Sequence, residues 1–111
     1  MAEATSELLH GTLETLILKT LAGGRRHGYG IAHVIEDGTD GAIAVEDGSL
    51  YPALYRMERK ELIEAEWGVS ELGRRAKFYR ITARGRRQLA AQTAEWTRFA
   101  GAVSKVLLAG S

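Results

Sequence analysis

The chain has 111 residues, 45% of them hydrophobic, which is enough for one core and leaves little room for a second domain. Fifteen Lys and Arg stand against fourteen Asp and Glu, so the net charge of +1 says nothing about a polyanionic partner, and the absence of cysteine excludes disulfides, thiolate zinc sites and thiol nucleophiles. No uninterrupted apolar run is long enough to cross a bilayer, and the opening MAEATSELLHG lacks the basic and apolar regions of a signal peptide, so a cytoplasmic location without membrane partners is expected.

Leu8, Leu9, Leu13, Leu16, Ile17, Leu18 and Leu21 recur at three- and four-residue spacing, which predicts a first helix over 8–22 ended by Gly23-Gly24. These residues cover more than one face. A helix on the outside of a small domain needs one apolar stripe, so the surplus suggests contact with a partner chain. Ile31, Val34 and Ile35 mark a short second helix after Gly28-Tyr29-Gly30, stopping near Asp37-Gly38; a turn follows from Gly38 to Gly41, then an extended piece from Ala42 to Val45. Asp47 or a neighbour caps a third helix running to about Lys60, with Pro52 near its first turn, where a missing amide is tolerated.

Ile63–Trp67 and Lys77–Thr82 read as two strands of a hairpin, joined by a polar loop from Gly68 to Ala76. Thr82 then caps a final helix from Ala83 to about Leu108. In it Leu89, Trp96 and Val103 repeat every seven residues, with Phe99 and Val106 on an adjoining line, a seam that favours another helix.

Three helices followed by a two-stranded hairpin is the order of an α+β winged helix-turn-helix, whose third helix enters the DNA major groove. Residues 1–82 are therefore read as a winged-helix DNA-binding unit and 83–111 as a C-terminal dimerisation helix. At about 100° per residue, Leu50, Ala53, Leu54 and Met57 share one face of the third helix, while Pro52, Tyr55 and Arg59 lie opposite, flanked by Ser49, Arg56 and Lys60. The first face is a core stripe. The second mixes a hydroxyl, a phenol and cations, groups that bond to phosphates and base edges. Beside it the acid-free run RRAKFYRITARGRR begins with Arg74, Arg75 and Lys77 in the wing, within reach of phosphates or a minor groove of duplex DNA.

These residues also resemble the PadR family of transcriptional regulators. The resemblance rests on Leu9-His10-Gly11-Thr12-Leu13, His27-Gly28-Tyr29-Gly30-Ile31, the run from Gly48 through Ser49-Leu50-Tyr51-Pro52-Ala53 to Leu54, and Gly73-Arg74-Arg75-Ala76-Lys77-Phe78-Tyr79-Arg80-Ile81-Thr82 with Gly85. A single-helix tail resembles the short subgroup. That resemblance implies a repressor, Tyr51 close to DNA, and homodimerisation through the first and last helices, for which Leu9, Leu13, Leu16, Leu89, Trp96 and Val103 are the candidate interface residues. In multidrug-sensing members a tryptophan on the last helix stacks planar drugs between the two subunits, which makes Trp96 and Phe99 candidates for a planar hydrophobic effector; packing within the interface is the other role open to Trp96. Two departures bear on the length of the third helix and the stiffness of the wing: Glu61 stands where a glycine usually closes that helix, and Ala76 where the wing usually has proline.

Other classes find little support. His27, His33 and Asp37 are the minimum for a metal site, but no His-x-x-x-His pair accompanies them, and no metal or cofactor is expected. Gly23–Gly30 lacks the ending of a phosphate loop, and His33 stands where a dinucleotide fingerprint needs glycine. Neither a nucleophile elbow nor a carboxylate pair with an obvious pocket is found, so an enzyme is not expected. A winged helix that binds only protein remains the rival, separated by whether the wing cations are dispensable.

Overall fold

The structure, a computed structural model, describes residues 2–110, with side chains from Gly11 onward. Its elements run α1 (Ala2–Ala22), β1 (Arg26–His27), α2 (Gly28–Gly38), α3 (Asp47–Arg59), β2 (Ile63–Val69), β3 (Arg75–Ile81) and α4 (Ala83–Leu107). The strands form one antiparallel sheet in the order β1-β3-β2, so the expected hairpin gains a two-residue strand that pairs Arg26 with Tyr79 and His27 with Phe78. Two residues carry no readable period, which hides β1 from sequence patterning. Three helices, a hairpin wing and a long C-terminal helix make this a winged helix.

The core is built from Leu13, Ile17, Leu18 and Leu21 of α1, Ile31 and Ile35 of α2, Leu50, Ala53, Leu54 and Met57 of α3, and Leu62, Ile63 and Tyr79 at the base of the wing. Each large apolar side chain among them contributes about 1.5–3 kcal/mol by leaving water. The leucines on several faces of α1 have a cause within the chain: α2, α3, α4 and β3 all pack against it, so α1 is the central helix rather than an outer one. A helix enclosed on several sides is apolar on several sides.

Other boundaries shift for local reasons. Residues 42–45 form no strand; Ile43 and Val45 instead lean on the core from an irregular connection. α2 begins at Gly28, capped by His27 Nδ1, which accepts from Gly30 N at 3.0 Å. The wing strands are longer than the alternation suggests, pairing out to Val69 opposite Arg75, and only residues 70–74 remain as the loop.

At the end of α3 the chain makes a Schellman turn. Leu62 N donates to Met57 O and Glu61 N to Glu58 O, both at 3.0 Å, with Glu61 at φ +60. Glutamate thus occupies the left-handed position that glycine adopts without cost. Just beyond, the start of α4 is pinned to the same segment: Thr82 Oγ1 donates to Leu62 O at 3.0 Å and to Glu61 O at 2.7 Å, and accepts from Gly85 N at 2.9 Å.

Candidate nucleic-acid interface

Helix α3 starts from Glu46, whose carbonyl accepts from Ser49 N at 3.0 Å and Leu50 N at 2.9 Å; the cap is backbone only, not an Asp47 side chain. Its inner stripe is the expected one, with Leu50, Ala53, Leu54 and Met57 buried. Outward it exposes Gly48, Tyr51, Pro52, Tyr55 and Arg59, again at three- and four-residue spacing, with Ser49 half-buried at the edge. Pro52 is the sixth residue of the helix, in its second turn, and leaves the Gly48 carbonyl without an i+4 amide. An added Cβ at Gly48 would meet nothing within 4 Å, so the fold itself does not demand glycine there. Spacing arguments passed over Gly48 because glycine offers no side chain to assign to a face.

Tyr51 leans back across the start of α2. A Cβ at buried Gly28 would come within 2.8 Å of its ring and hydroxyl, so glycine there permits the α2–α3 approach. Below it lies Tyr79, buried in the core, its phenol held above the usual tyrosine range chiefly by burial and further by the charge of Glu58 and by Tyr51.

Several cations assigned to DNA are held by the protein's own acids. Arg56 Nε sits 3.3 Å and Lys60 Nζ 3.6 Å from the carboxylate of Glu14, a residue of α1 whose side chain is only 9% exposed. Arg56 is therefore turned inward, tying α3 to α1, and joins the outward face less fully than its angle on a helical wheel suggests. Arg59 Nη1 donates to Tyr55 Oη at 3.2 Å, and both remain on the open face.

In the wing, strand alternation divides the basic run between two surfaces. Arg75, Lys77 and Tyr79 share one face with Ala65, Trp67 and Val69 of β2, whereas Glu64, Glu66, Phe78 and Arg80 lie on the other, where Phe78 is covered by His27 and Arg25. Lys77 Nζ reaches Glu58 of α3 at 3.5 Å, and the Arg75 guanidinium lies 4.5 Å over the Trp67 ring. Arg80 pairs with Glu64 at 2.8 Å and Arg84 with Glu61 at 3.3 Å, so the run does not form one uncompensated patch. Arg74, in the loop, has no acidic partner among the described residues. Ala76 pairs with Gly68 inside the ladder.

The residues expected at a subunit interface fall into three groups. Leu13, at 3% exposure, is committed to the core, with Leu16 and Leu89 packed against it, and the side chain of Leu9 lies outside the described residues. Thr15 Oγ1 donates to Gln92 Oε1 at 2.7 Å, the last described bond between α1 and α4. Beyond it α4 carries Trp96 at 53% exposure, Phe99 at 55% and Val103 at 37%, with Val106, Leu107 and Leu108 still more open. The side chains of His27 and His33 serve other ends, His27 edge-on to Phe78 and His33 parallel to Tyr29, and among the described residues no group of three His, Asp or Glu could hold a metal ion. No helix among the described residues is long and apolar enough to cross a membrane.

The chain matches the model of the "Transcriptional regulator PadR-like family" over residues 17–91. A curated relative from Lysinibacillus sphaericus, described as uncharacterized protein X, is 34% identical over 91 residues, covering 82% of this chain and 84% of its own. Among solved structures, a PadR-like transcriptional regulator from Bacillus cereus is 32% identical with a TM-score of 0.79, covering 95% of this chain and 99% of its own. A transcriptional regulator from Clostridium thermocellum is 29% identical at a TM-score of 0.80, covering 89% and 96%, and a PadR family regulator from Eggerthella lenta is 30% identical at 0.78, covering 98% and 93%. Fold, motifs and matched length agree: the chain belongs to the PadR-like family of transcriptional regulators and is not an enzyme.

Proposed function

We propose that this regulator binds duplex DNA sequence-specifically as a homodimer in the cytoplasm and represses transcription, with α3 in the major groove and the wing on the neighbouring backbone or minor groove. The observation that carries this reading is the outward face of α3. Gly48, Tyr51, Pro52, Tyr55 and Arg59 are all exposed there, Tyr51 alone leaning on α2, and the helix that bears them stands beside a wing whose near face has no acid of its own. Ser49 and Tyr55 supply hydrogen bonds at base edges, Arg59 and Arg74 reach phosphates, and Gly48 lets the backbone come close.

Dimerisation supplies the second half-site. The stripe Trp96, Phe99, Val103 and Val106 is exposed beyond Gln92, which holds the described hydrogen bond to α1, and its spacing of three and four residues is that of a helix pair. Two copies meeting on this stripe place two Trp96 rings near each other, and a planar hydrophobic effector between them changes the separation of the two α3 helices.

Gel-shift titration with DNA from upstream of the chain's own coding region tests the reading, together with sedimentation at micromolar concentration. A salt-dependent shift of a dimer supports it. A monomer, or a wing-cation triple variant of Arg74, Arg75 and Lys77 to alanine that binds with an unchanged salt slope, overturns it. Effector binding is read from quenching of tryptophan emission by planar dyes, and quenching that persists in Trp96→Ala assigns the signal to Trp67 and removes the effector site.

A further inference from the structure

The polar loop at the tip of the wing carries one apolar side chain, and that side chain is turned to solvent. Leu72 is 80% exposed, the highest value among the large hydrophobic side chains described, and Val69 and Trp67 follow it down the near face of β2 at 68% and 60%. The tip is also held in one shape. Gly73 N donates to Ser70 O and Ser70 N to Arg74 O, both at 2.8 Å, and Gly73 takes φ +75, the left-handed residue that closes a tight hairpin loop.

Charge around the tip is sorted. Glu64 and Glu66 of β2 lie on the far face, paired with Arg80 and Arg25, and Glu71 of the loop, itself 80% exposed, lies 3.7 Å from His27 Nε2. Leu72 is open to solvent, Arg74 of the loop has no acidic partner among the described residues, and Arg75 is stacked on Trp67 at 4.5 Å. An apolar side chain followed by two cations complements the minor groove of a duplex, where arginine is drawn by the concentrated phosphate potential and an apolar side chain can wedge against a base step.

We propose that the wing tip enters the minor groove with Leu72 as a wedge at one base step and with Arg75, held in place by Trp67, alongside it, so that the duplex is bent at the wing and a flexible pyrimidine–purine step within A·T-rich sequence, TA above all, is preferred there. This rests on the DNA-binding reading above and extends it to a bending residue and a positioning residue. Flexible steps are favoured because opening them to admit a side chain costs least.

The test uses the full chain and duplexes that it selects from a random 30-base-pair library, labelled at both ends for energy transfer. The wild type brings the ends together. Leu72→Ala binds roughly three- to tenfold more weakly with the same salt slope and leaves the duplex straighter, and Leu72→Met restores the bend. Trp67→Phe retains the bend, whereas Trp67→Ala weakens the A·T preference at the wing position without changing the core operator bases. A Leu72→Ala protein that bends DNA as the wild type does overturns the wedge and leaves the DNA reading intact. Absence of any selected duplex overturns both. Loss of self-association in Leu72→Ala, with bending unchanged, makes the tip a protein contact and also overturns the wedge.

Discussion

Replacing Gly85 by alanine is expected to disturb the junction that sets the direction of α4. An added Cβ would lie 2.1 Å from the Leu62 carbonyl oxygen and 2.8 Å from Ile81 Cγ1, whereas ordinary carbon–oxygen contacts begin at about 3.3 Å. More than 1 Å of movement is needed, and the obstructing atom is backbone rather than a flexible side chain. Shifting that oxygen strains the bonds it accepts from Thr82 N at 3.1 Å and Thr82 Oγ1 at 3.0 Å, each worth about 1 kcal/mol. Overpacking adds about 1–3 kcal/mol, and alanine's better helix propensity returns about 1 kcal/mol. The net loss is about 3 kcal/mol, enough to lower a urea midpoint by roughly 1–3 M at the m-values of small domains. Equilibrium urea unfolding followed by circular dichroism, at fixed protein concentration, measures it. Gly38→Ala is the control, since a Cβ there meets nothing within 4 Å and the change should stabilise by about 0.5–1 kcal/mol. A Gly85→Ala midpoint equal to that of the wild type would refute the packing of α4 on Leu62.

Glu61→Gly should raise stability by about 0.5 kcal/mol, because relief of a left-handed glutamate at φ +60 exceeds glycine's extra chain entropy and the exposed pair with Arg84. Glu61→Ala keeps the strain and should not show the gain in a paired thermal melt. Arg56→Ala and Glu14→Gln should each cost about 1–3 kcal/mol of stability by opening the buried end of the α1–α3 ion cluster, while leaving the preferred operator bases unchanged in a selection experiment. A changed preference in Arg56→Ala would return that residue to the recognition face. Tyr79, whose phenol is held protonated by the fold, contributes stability that is complete below the ordinary tyrosine pKa and is lost as pH rises through its raised value. Alkaline unfolding should therefore be delayed to higher pH in Tyr79→Phe, unless loss of the hydroxyl itself destabilises at pH 7, which a neutral-pH melt reports.

Much of the architecture was legible because it follows from spacing. The inner stripe Leu50, Ala53, Leu54 and Met57 and the strand alternation at Ile63 and Tyr79 are periods that only burial on one side produces, and they place α3 and the wing without reference to anything distant. Thr82 and the Gly23-Gly24 pair mark helix ends through local hydrogen-bonding capacity and backbone freedom. The run Gly48–Leu54 and the Gly73–Thr82 segment carry the family's signature within short stretches, so membership needs no long-range contact.

The order of the elements, the inner face of α3 and the family are therefore readable along the chain. Tertiary structure alone decided how the charges are used. On a helical wheel Arg56 lies near the outer face, yet Glu14, 42 residues earlier, draws it inward. Arg74, Arg75, Lys77 and Arg80 look alike along the chain, yet one is unpaired by acid, one stacks on Trp67, one reaches Glu58 and one turns to Glu64. Leu13, Leu18 and Leu21 of α1 look surplus along the chain, yet α2, α3, α4 and β3 pack around that helix and these three are buried. Periodicity records which side of an element is covered, but ion pairs and packing partners depend on distances between residues far apart in sequence, and those exist only once the chain has folded.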